Sequence, residues 1–252
     1  MIRDYAGVYR GAWRYMLACP LLFAVPAATE FVQHAIEVRI GMYDSFAAAQ
    51  AVEGNGARLG WGLVKTLSIT LAGFWVARFL LLGGAAAARR AEPVAVRLYA
   101  WVMLFSLAGT ALGLWGGGLL RAVGLGDHPV AVGVTLAVLS IILSAMLAPW
   151  RVGAALGNAE LGFVRSLVLV GWRAWWGVIL IVVTLLPLMI VHYALLPVTI
   201  VAGAWLKWPL LALDSVVVGG LAAVIGATDV AIARRAVEGA GRVLSPQPAA
   251  PG

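Results

Sequence analysis

The sequence predicts an all-α fold, a polytopic bundle of six transmembrane helices with both termini in the cytoplasm. Of the 252 residues, 63% are hydrophobic and only 12% are charged, whereas about a quarter of the residues in soluble domains are charged. The apolar runs leave no stretch that would bury a separate aqueous core. We therefore expect a single integral membrane domain over residues 1–242 and a flexible tail at 243–252, whose composition is too poor in core-forming residues to fold.

Six apolar segments are each long enough to cross a hydrocarbon core of about 30 Å at a rise of about 1.5 Å per residue. The predicted spans lie near residues 15–36, 62–87, 97–119, 129–150, 174–196 and 209–232. An uncleaved first span is favoured over a signal peptide cleaved near Ala27, because apolar residues resume at Phe31.

The basic residues and the tryptophans give the orientation of these spans. Thirteen of the 18 Lys and Arg residues lie on the face that holds both termini, and an excess of basic residues marks the cytoplasmic side. Ten of the 11 tryptophans fall near span ends, where an indole satisfies both its apolar ring and its N–H group. These two patterns predict a multi-pass protein of a bacterial inner membrane. The net charge of +7 follows from this topology, so we predict no nucleic-acid partner.

Two basic segments are predicted to form helices on the cytoplasmic surface of the membrane. Residues 2–14 and 151–167 each combine an apolar stripe with a basic one, a pattern typical of helices that bind anionic headgroups. The alternative is that each segment extends its neighbouring span. The candidate contacts to anionic lipid are Arg10, Arg14, Arg151, Arg165 and Arg173.

Short matching sequences suggest an internal repeat. Trp13-Arg14 lies at the start of one pair of spans, and Arg89-Arg90 lies at its end. Trp172-Arg173 and Arg234-Arg235 lie at the start and the end of a second pair. Because both pairs start and end in the cytoplasm, a duplication would give two parallel hairpins around a central hairpin. The alternative is that there was no duplication, because tryptophan and arginine are common at the cytoplasmic ends of spans in any membrane protein.

Sequence signatures of catalysis or metal binding are missing. His34, His128 and His192 lie far apart in the sequence, and Cys19 is the only cysteine, so neither a histidine motif nor a thiolate site is indicated. The sequence also contains no nucleophile elbow and no phosphate-binding loop. We therefore predict no catalytic residue, no cofactor and no metal ligand.

Charged residues inside the spans are the best functional candidates, because a charge in lipid costs several kcal/mol unless it is paired or hydrated. The rise per residue places Arg78 roughly 16 Å deep and Asp229 roughly 7 Å deep, and we predict that they pair. In the alternative, Arg78 ends a shorter span and residues 79–88 lie on the membrane surface.

A second polar cluster is predicted near the outer ends of the spans. In the alternative interpretation the acids of this cluster are hydrated at the interface, and its histidine packs between helices. The predicted members are Glu30, Lys65, His192 and Asp214.

Small residues recur every four positions in the third and sixth spans, where they allow close contact between helix backbones. These faces are predicted to pack within the bundle, or alternatively against another subunit. The helix-packing candidates are Gly109, Gly113, Gly117, Gly219, Ala223 and Ala227.

These features favour a non-catalytic membrane component, either an accessory or scaffold subunit of a complex or a lipid-associated envelope protein. The expected partners are membrane lipids and other membrane subunits. A small permease that uses the intramembrane charges is the alternative, and a membrane-embedded enzyme acting on lipid-linked substrates is the third possibility.

Overall fold

The computed structural model describes residues 1–116 and 129–244, and within those ranges it contains helices and no strand. This confirms the predicted all-α class. Gly117 and the tail from residue 245 onward lie outside the described residues. The helices are α1 (Ile2–Ala18), α2 (Pro20–Arg39), α3 (Phe46–Ala51), α4 (Gly56–Leu82), α5 (Ala85–Arg89), α6 (Pro93–Trp115), α7 (Pro129–Ala155), α8 (Phe163–Val170), α9 (Ala174–Val201) and α10 (Ala204–Glu238).

Five helices in the described part of the chain are long and apolar enough to cross a membrane. They are α4, α6, α7, α9 with the preceding α8, and α10, and the bent pair α1 and α2 would make a sixth. The shortest of the five, α6, has 23 residues and is therefore about 34 Å long, slightly more than the thickness of a hydrocarbon core. The chain is thus a multi-pass helical membrane protein.

The first predicted span, residues 15–36, is divided between two helices. The chain bends by 98° between α1 and α2, at Cys19 (φ −130°, ψ 53°). Pro20 is the first residue of α2, and a proline both lacks an N–H group and disfavours helical backbone at the residue before it. The residues of the predicted surface helix, 2–14, therefore belong to α1, and most of the predicted first span belongs to α2.

The second predicted span, residues 62–87, also ends earlier than expected. Helix α4 stops at Leu82, and Gly83 and Gly84 follow with φ values of 96° and 101°. Only glycine adopts this left-handed region readily, so the pair turns the chain back into the short helix α5. Arg78 remains inside α4, about one turn before its end.

The segment 151–167 does not form one surface helix. Helix α7 continues through Pro149 as far as Ala155, and a loop then leads to α8. Arg151 is consequently part of a candidate membrane span, and only residues 163–167 of the predicted surface segment belong to the separate short helix α8.

Helix α10 is the centre of the bundle and packs against α1, α2, α4, α7 and α9. Its predicted small-residue face lies inside the bundle, because Gly219, Ala223 and Ala227 are all buried. On α6, by contrast, Gly109 and Gly113 are exposed, and no atom lies within 4 Å of the position that a Cβ would take.

The bundle has two ends of different composition. At the end that we call the α1 end, α1 packs against α4, α5 and the second half of α10. At the opposite end, which we call the α3 end, the loop after α2 packs against α3 and the adjoining ends of α9 and α10. The polar residues discussed below separate into these two ends.

Candidate functional site

Helix α2 turns a polar face toward the interior of the bundle at the α3 end. Glu30, Gln33, His34 and Glu37 are buried, with exposed fractions between 1% and 6%. They recur every three or four residues, so they share one face of the helix. Phe31, on another face, is exposed. A buried charge in a membrane protein is costly unless it has a partner. We therefore expect each of these side chains to contact a polar or oppositely charged group.

His34 lies at the centre of these contacts. Its Nδ1 atom is 3.0 Å from Oε2 of Glu37. Its Nε2 atom is 3.0 Å from Oδ2 of Asp214 on α10 and 3.5 Å from Oε1 of Glu30. One imidazole ring therefore contacts three carboxylates, two from its own helix and one from α10.

Glu37 is held by donors from three parts of the chain. The Gln33 side-chain amide donates to Oε1 at 3.0 Å, and Nε of Arg58 on α4 donates to the same atom at 3.1 Å. The hydroxyl of Tyr43, in the loop after α2, donates to Oε2 at 3.0 Å. Burial, together with the negative charge of Glu37, raises the pKa of Tyr43 far above its usual range, so this phenol remains a donor. Glu37 is thereby fixed in place and charged.

The other two carboxylates also contact basic groups. Nζ of Lys65 donates to Oε1 of Glu30 at 3.3 Å and lies 3.0 Å from Oε2. Oδ1 of Asp214 is 2.7 Å from Nδ1 of His192 on α9. A cavity of about 110 Å³ adjoins all of these groups and is closed on its apolar side by residues such as Leu211. The cluster therefore joins α2, α4, α9 and α10 around a small polar space.

The structure brings together all four members of the predicted outer polar cluster, Glu30, Lys65, His192 and Asp214. The sequence did not indicate the residues that connect them. His34 is not among the predicted members, but both His34 and His192 contact Asp214. The spacing Glu30, His34, Glu37 was the signal for this site, because positions i, i+4 and i+7 share one helical face.

The predicted pair between Arg78 and Asp229 is not formed. Arg78 instead donates to the carbonyl oxygens of Ala87 and Ala155 at 3.1 Å and 3.0 Å and to Oε1 of Glu92 at 3.0 Å. It lies at the α1 end, where it joins α4 to α5, α7 and the N-terminus of α6. These contacts make Arg78 a structural link between helices.

Asp229 pairs with Arg151 of α7. Nε of Arg151 is 2.7 Å from Oδ2 of Asp229, and Nη2 contacts the second carboxylate oxygen. The pair lines a cavity of about 280 Å³, whose other polar lining residues include Tyr99, Ser144 and Thr228. Arg151 was predicted to contact lipid headgroups, but its guanidinium is occupied by this buried carboxylate inside the bundle.

A groove of about 850 Å³ runs along the α1 end between α1 and the last turns of α10. Its acidic lining residues are Asp4 and Glu238. Its basic lining residues, all of them exposed, are Arg3, Arg10, Arg14, Arg234 and Arg235. Two of the predicted lipid contacts, Arg10 and Arg14, therefore share one groove with the end of α10.

The remaining two predicted lipid contacts lie elsewhere at the α1 end. Arg173 lines a neighbouring pocket with Trp172, Trp175 and Trp176, and the guanidinium of Arg235 lies over the Trp176 ring, 4.2 Å from its centroid. Arg165 donates to the backbone oxygen of Glu160 at 3.2 Å. The structure therefore places Arg173, but not Arg165, beside the groove.

Comparison of this chain with protein-family models, with curated proteins and with solved structures gives no match.

Proposed function

We propose that this chain is a non-catalytic, multi-pass protein of the inner membrane that binds anionic phospholipid headgroups in the groove between α1 and α10. The observation that carries this proposal is the set of five exposed arginines around one groove. Guanidinium groups bind phosphate oxygens through paired, charge-assisted hydrogen bonds. A groove with five such groups and two acids suits a phosphate-bearing ligand.

The orientation of α1 supports a lipid headgroup as that ligand. If α2 crosses the membrane, the bend of 98° sets α1 close to the membrane plane. Val8, Ala12 and Tyr15 are buried against the bundle, whereas Trp13 and Arg14 are exposed. Amphipathic helices with aromatic and basic residues occupy the headgroup region in this way, so the groove would open at the level of the phosphates.

The charge distribution supports a cytoplasmic position for the groove. The α1 end carries the basic residues that the positive-inside rule assigns to the cytoplasm, and the cytoplasmic leaflet is rich in anionic lipid. An accessory role in a larger complex is a compatible form of this proposal, because Gly109 and Gly113 leave the outer face of α6 open to a partner helix.

Native mass spectrometry of the purified full chain tests the proposal with phosphatidylglycerol and phosphatidylcholine as the two probes. We expect preferential retention of phosphatidylglycerol. A triple variant (Arg10→Gln, Arg14→Gln, Arg234→Gln) should weaken this retention about a hundredfold, since each basic residue near an anionic surface contributes about 1 kcal/mol.

A matched triple variant controls for the loss of charge. Arg89→Gln, Arg90→Gln and Arg97→Gln remove three exposed charges at the same end, but these residues do not line the groove. The control should bind phosphatidylglycerol nearly as tightly as the native chain. Equal binding of the two lipids by the native chain, or equal loss in the two triple variants, would reject the groove as a lipid site.

The alternative function is a small permease, which the cavity beside Arg151 and Asp229 favours. Transporters place substrate and ion sites near the middle of the membrane, between helices. In liposomes loaded with a pH-sensitive dye, Asp229→Asn and Glu30→Gln should each abolish proton flux while expression and helix content are retained. Flux equal to that of the native chain in both variants would remove this alternative.

A further inference from the structure

The buried cluster at the α3 end contains the donor set of a metal site. One ligand atom from each of Glu30, His34 and Asp214 lies within 4.8 Å of the other two, and all three side chains are buried. Nε2 of His34 is 3.0 Å from Oδ2 of Asp214 and 3.5 Å from Oε1 of Glu30. Ligands at about 2.1 Å from a tetrahedral ion are about 3.4 Å apart, so these separations bracket the spacing that an ion requires.

The hydrogen bonds of His34 leave Nε2 available for an ion. Nδ1 lies 3.0 Å from Glu37 and 2.8 Å from the Tyr43 hydroxyl. The position of Glu37 is itself fixed by Gln33, Arg58 and Tyr43. A carboxylate that accepts a hydrogen bond from one ring nitrogen sets the tautomer, and it directs the lone pair of the other nitrogen toward a metal. Glu37 occupies this supporting position.

Nε2 has no hydrogen-bond partner within the described part of the chain, although two carboxylate oxygens lie close to it. The histidine is 4% exposed, so water does not freely satisfy this atom. A nitrogen lone pair and a carboxylate oxygen at 3.0 Å repel each other unless a positive charge lies between them. These short contacts therefore require either a hydrogen on Nε2 or a metal ion between the atoms.

The fixed charges of the cluster also favour a cation. Three carboxylates (Glu30, Glu37 and Asp214) face two permanent positive charges (Arg58 and Lys65). With both histidines neutral, the cluster carries one excess negative charge. This charge is buried, where an uncompensated ion is costly, so the uptake of a cation would stabilise the site.

We propose that Glu30, His34 and Asp214 bind a divalent first-row transition-metal ion. One imidazole nitrogen with two carboxylate oxygens suits Zn²⁺, Mn²⁺ or Fe²⁺ better than Ca²⁺ or Mg²⁺, which prefer oxygen ligands alone. The cavity of about 110 Å³ beside the three ligands leaves room for water to complete the coordination. This site is independent of the lipid groove at the opposite end of the bundle.

Titration of the metal-free full chain with Co²⁺ tests the proposal, because Co²⁺ occupies sites of this type and its visible absorption reports their geometry. We expect one Co²⁺ per chain, displaced by Zn²⁺. His34→Gln and Asp214→Asn should abolish the absorption band. Glu37→Gln should weaken binding at least about tenfold, as expected for a partner that orients a metal-binding histidine.

Two further variants separate metal binding from loss of fold. Asp44→Asn removes an exposed carboxylate at the same end and should bind Co²⁺ like the native chain. Lys65→Met removes the ammonium group that competes for Glu30 and should strengthen binding severalfold, a gain that misfolding does not produce. The absence of saturable Co²⁺ binding by the native chain, or unchanged binding in both His34→Gln and Asp214→Asn, would overturn the proposal and leave a proton as the occupant.

Discussion

The Arg78 guanidinium is fully buried, and groups from several parts of the chain surround it. The carbonyl oxygens of Ala87 and Ala155 and the carboxylate of Glu92 accept its hydrogen bonds. The Phe74 ring covers it, with its centroid 5.4 Å from the guanidinium carbon. The planar fork of an arginine can serve all of these groups at once, whereas an ammonium is a point charge on a flexible stem.

Replacement of Arg78 by lysine should therefore destabilise the fold although the charge is retained. We expect Arg78→Lys to cost about 1–3 kcal/mol of unfolding free energy, because an ammonium cannot donate to Ala87, Ala155 and Glu92 with the same geometry and leaves an acceptor unsatisfied. Thermal unfolding in detergent, followed by tryptophan fluorescence, measures this change. Arg89→Lys, an exposed change in the same region, should leave the midpoint unaltered. Equal midpoints for the two variants would contradict the structural role of Arg78.

Tyr43 should make the stability of the fold depend on alkaline pH. Burial and the Glu37 charge raise its pKa above the usual value of 10.0, so the folded chain holds the phenol proton more tightly than the unfolded chain does. Stability is then lost as the pH rises above 10, where the unfolded chain ionises. Tyr43→Phe should cost about 1 kcal/mol near neutral pH and should show a smaller alkaline loss.

Unfolding midpoints on either side of pH 10 check this prediction. Tyr193→Phe, a change at an exposed tyrosine near the same end, should reproduce the native pH profile. If Tyr43→Phe lost as much stability at alkaline pH as the native chain does, Tyr43 would not contribute to the pH dependence of stability.

The sequence predicted the acids and bases of the outer cluster but not the residues that organise them. Glu30, Lys65 and Asp214 stand out as isolated charges within apolar runs. His34 and Glu37 fell at the edge of the predicted first span, where a polar residue is expected from topology alone. Their role depends on α2 continuing to Arg39 and turning that face toward α10, which the composition of a segment does not specify.

At the scale of the helices, hydropathy located the five long apolar helices in the described part of the chain but not the bends between helices. Cys19-Pro20 and Gly83-Gly84 redirect the chain by local backbone preference. A sum of apolar residues over a window does not detect such a change of direction. The predicted pair of Arg78 and Asp229 failed for a related reason. The depth of Arg78 was counted along a helix continuous to Arg89, whereas α4 ends at Leu82, and the sequence does not show that Arg151 is the neighbour of Asp229.

Gly226 on α10 should be the most sensitive point of the small-residue face. A Cβ at this position would lie 2.8 Å from Cβ of Val76 and 3.2 Å from Cα of Gly73 on α4, so α4 and α10 would have to separate. We expect Gly226→Ala to destabilise the fold by about 1–3 kcal/mol, as overpacking does. Unfolding by denaturant in detergent, followed by circular dichroism, measures the effect.

Gly220 on the same helix supplies the control, since no atom lies within 4 Å of the position of its Cβ. Gly220→Ala should be neutral or stabilising by up to about 1 kcal/mol, because alanine favours helix over glycine. If both variants behaved alike, close packing between α4 and α10 would not contribute to stability.

At the scale of the whole molecule, the two ends of the bundle have different chemistry. The α1 end exposes arginines around an open groove, whereas the α3 end encloses acids and histidines around a small cavity. The first arrangement suits a large anionic partner, and the second suits a small cation. If the α1 end faces the cytoplasm, the proposed lipid groove and the proposed metal site lie toward opposite sides of the membrane.

This arrangement requires that residues before α2 and residues after α4 share one side of the membrane. Native Cys19 is buried, so cysteines introduced at exposed positions in a Cys19→Ala background report their own location. Gly7→Cys and Arg90→Cys should react with a membrane-impermeant maleimide only after permeabilisation, because the excess of basic residues predicts a cytoplasmic location for that end. Ser45→Cys, beside α3, should react in intact cells.

If Gly7→Cys and Ser45→Cys reacted under the same condition, α2 would not cross the membrane. If Gly7→Cys and Arg90→Cys reacted in intact cells and Ser45→Cys reacted only after permeabilisation, the groove would lie in the outer leaflet. The electrostatic basis of the proposed function would then be lost.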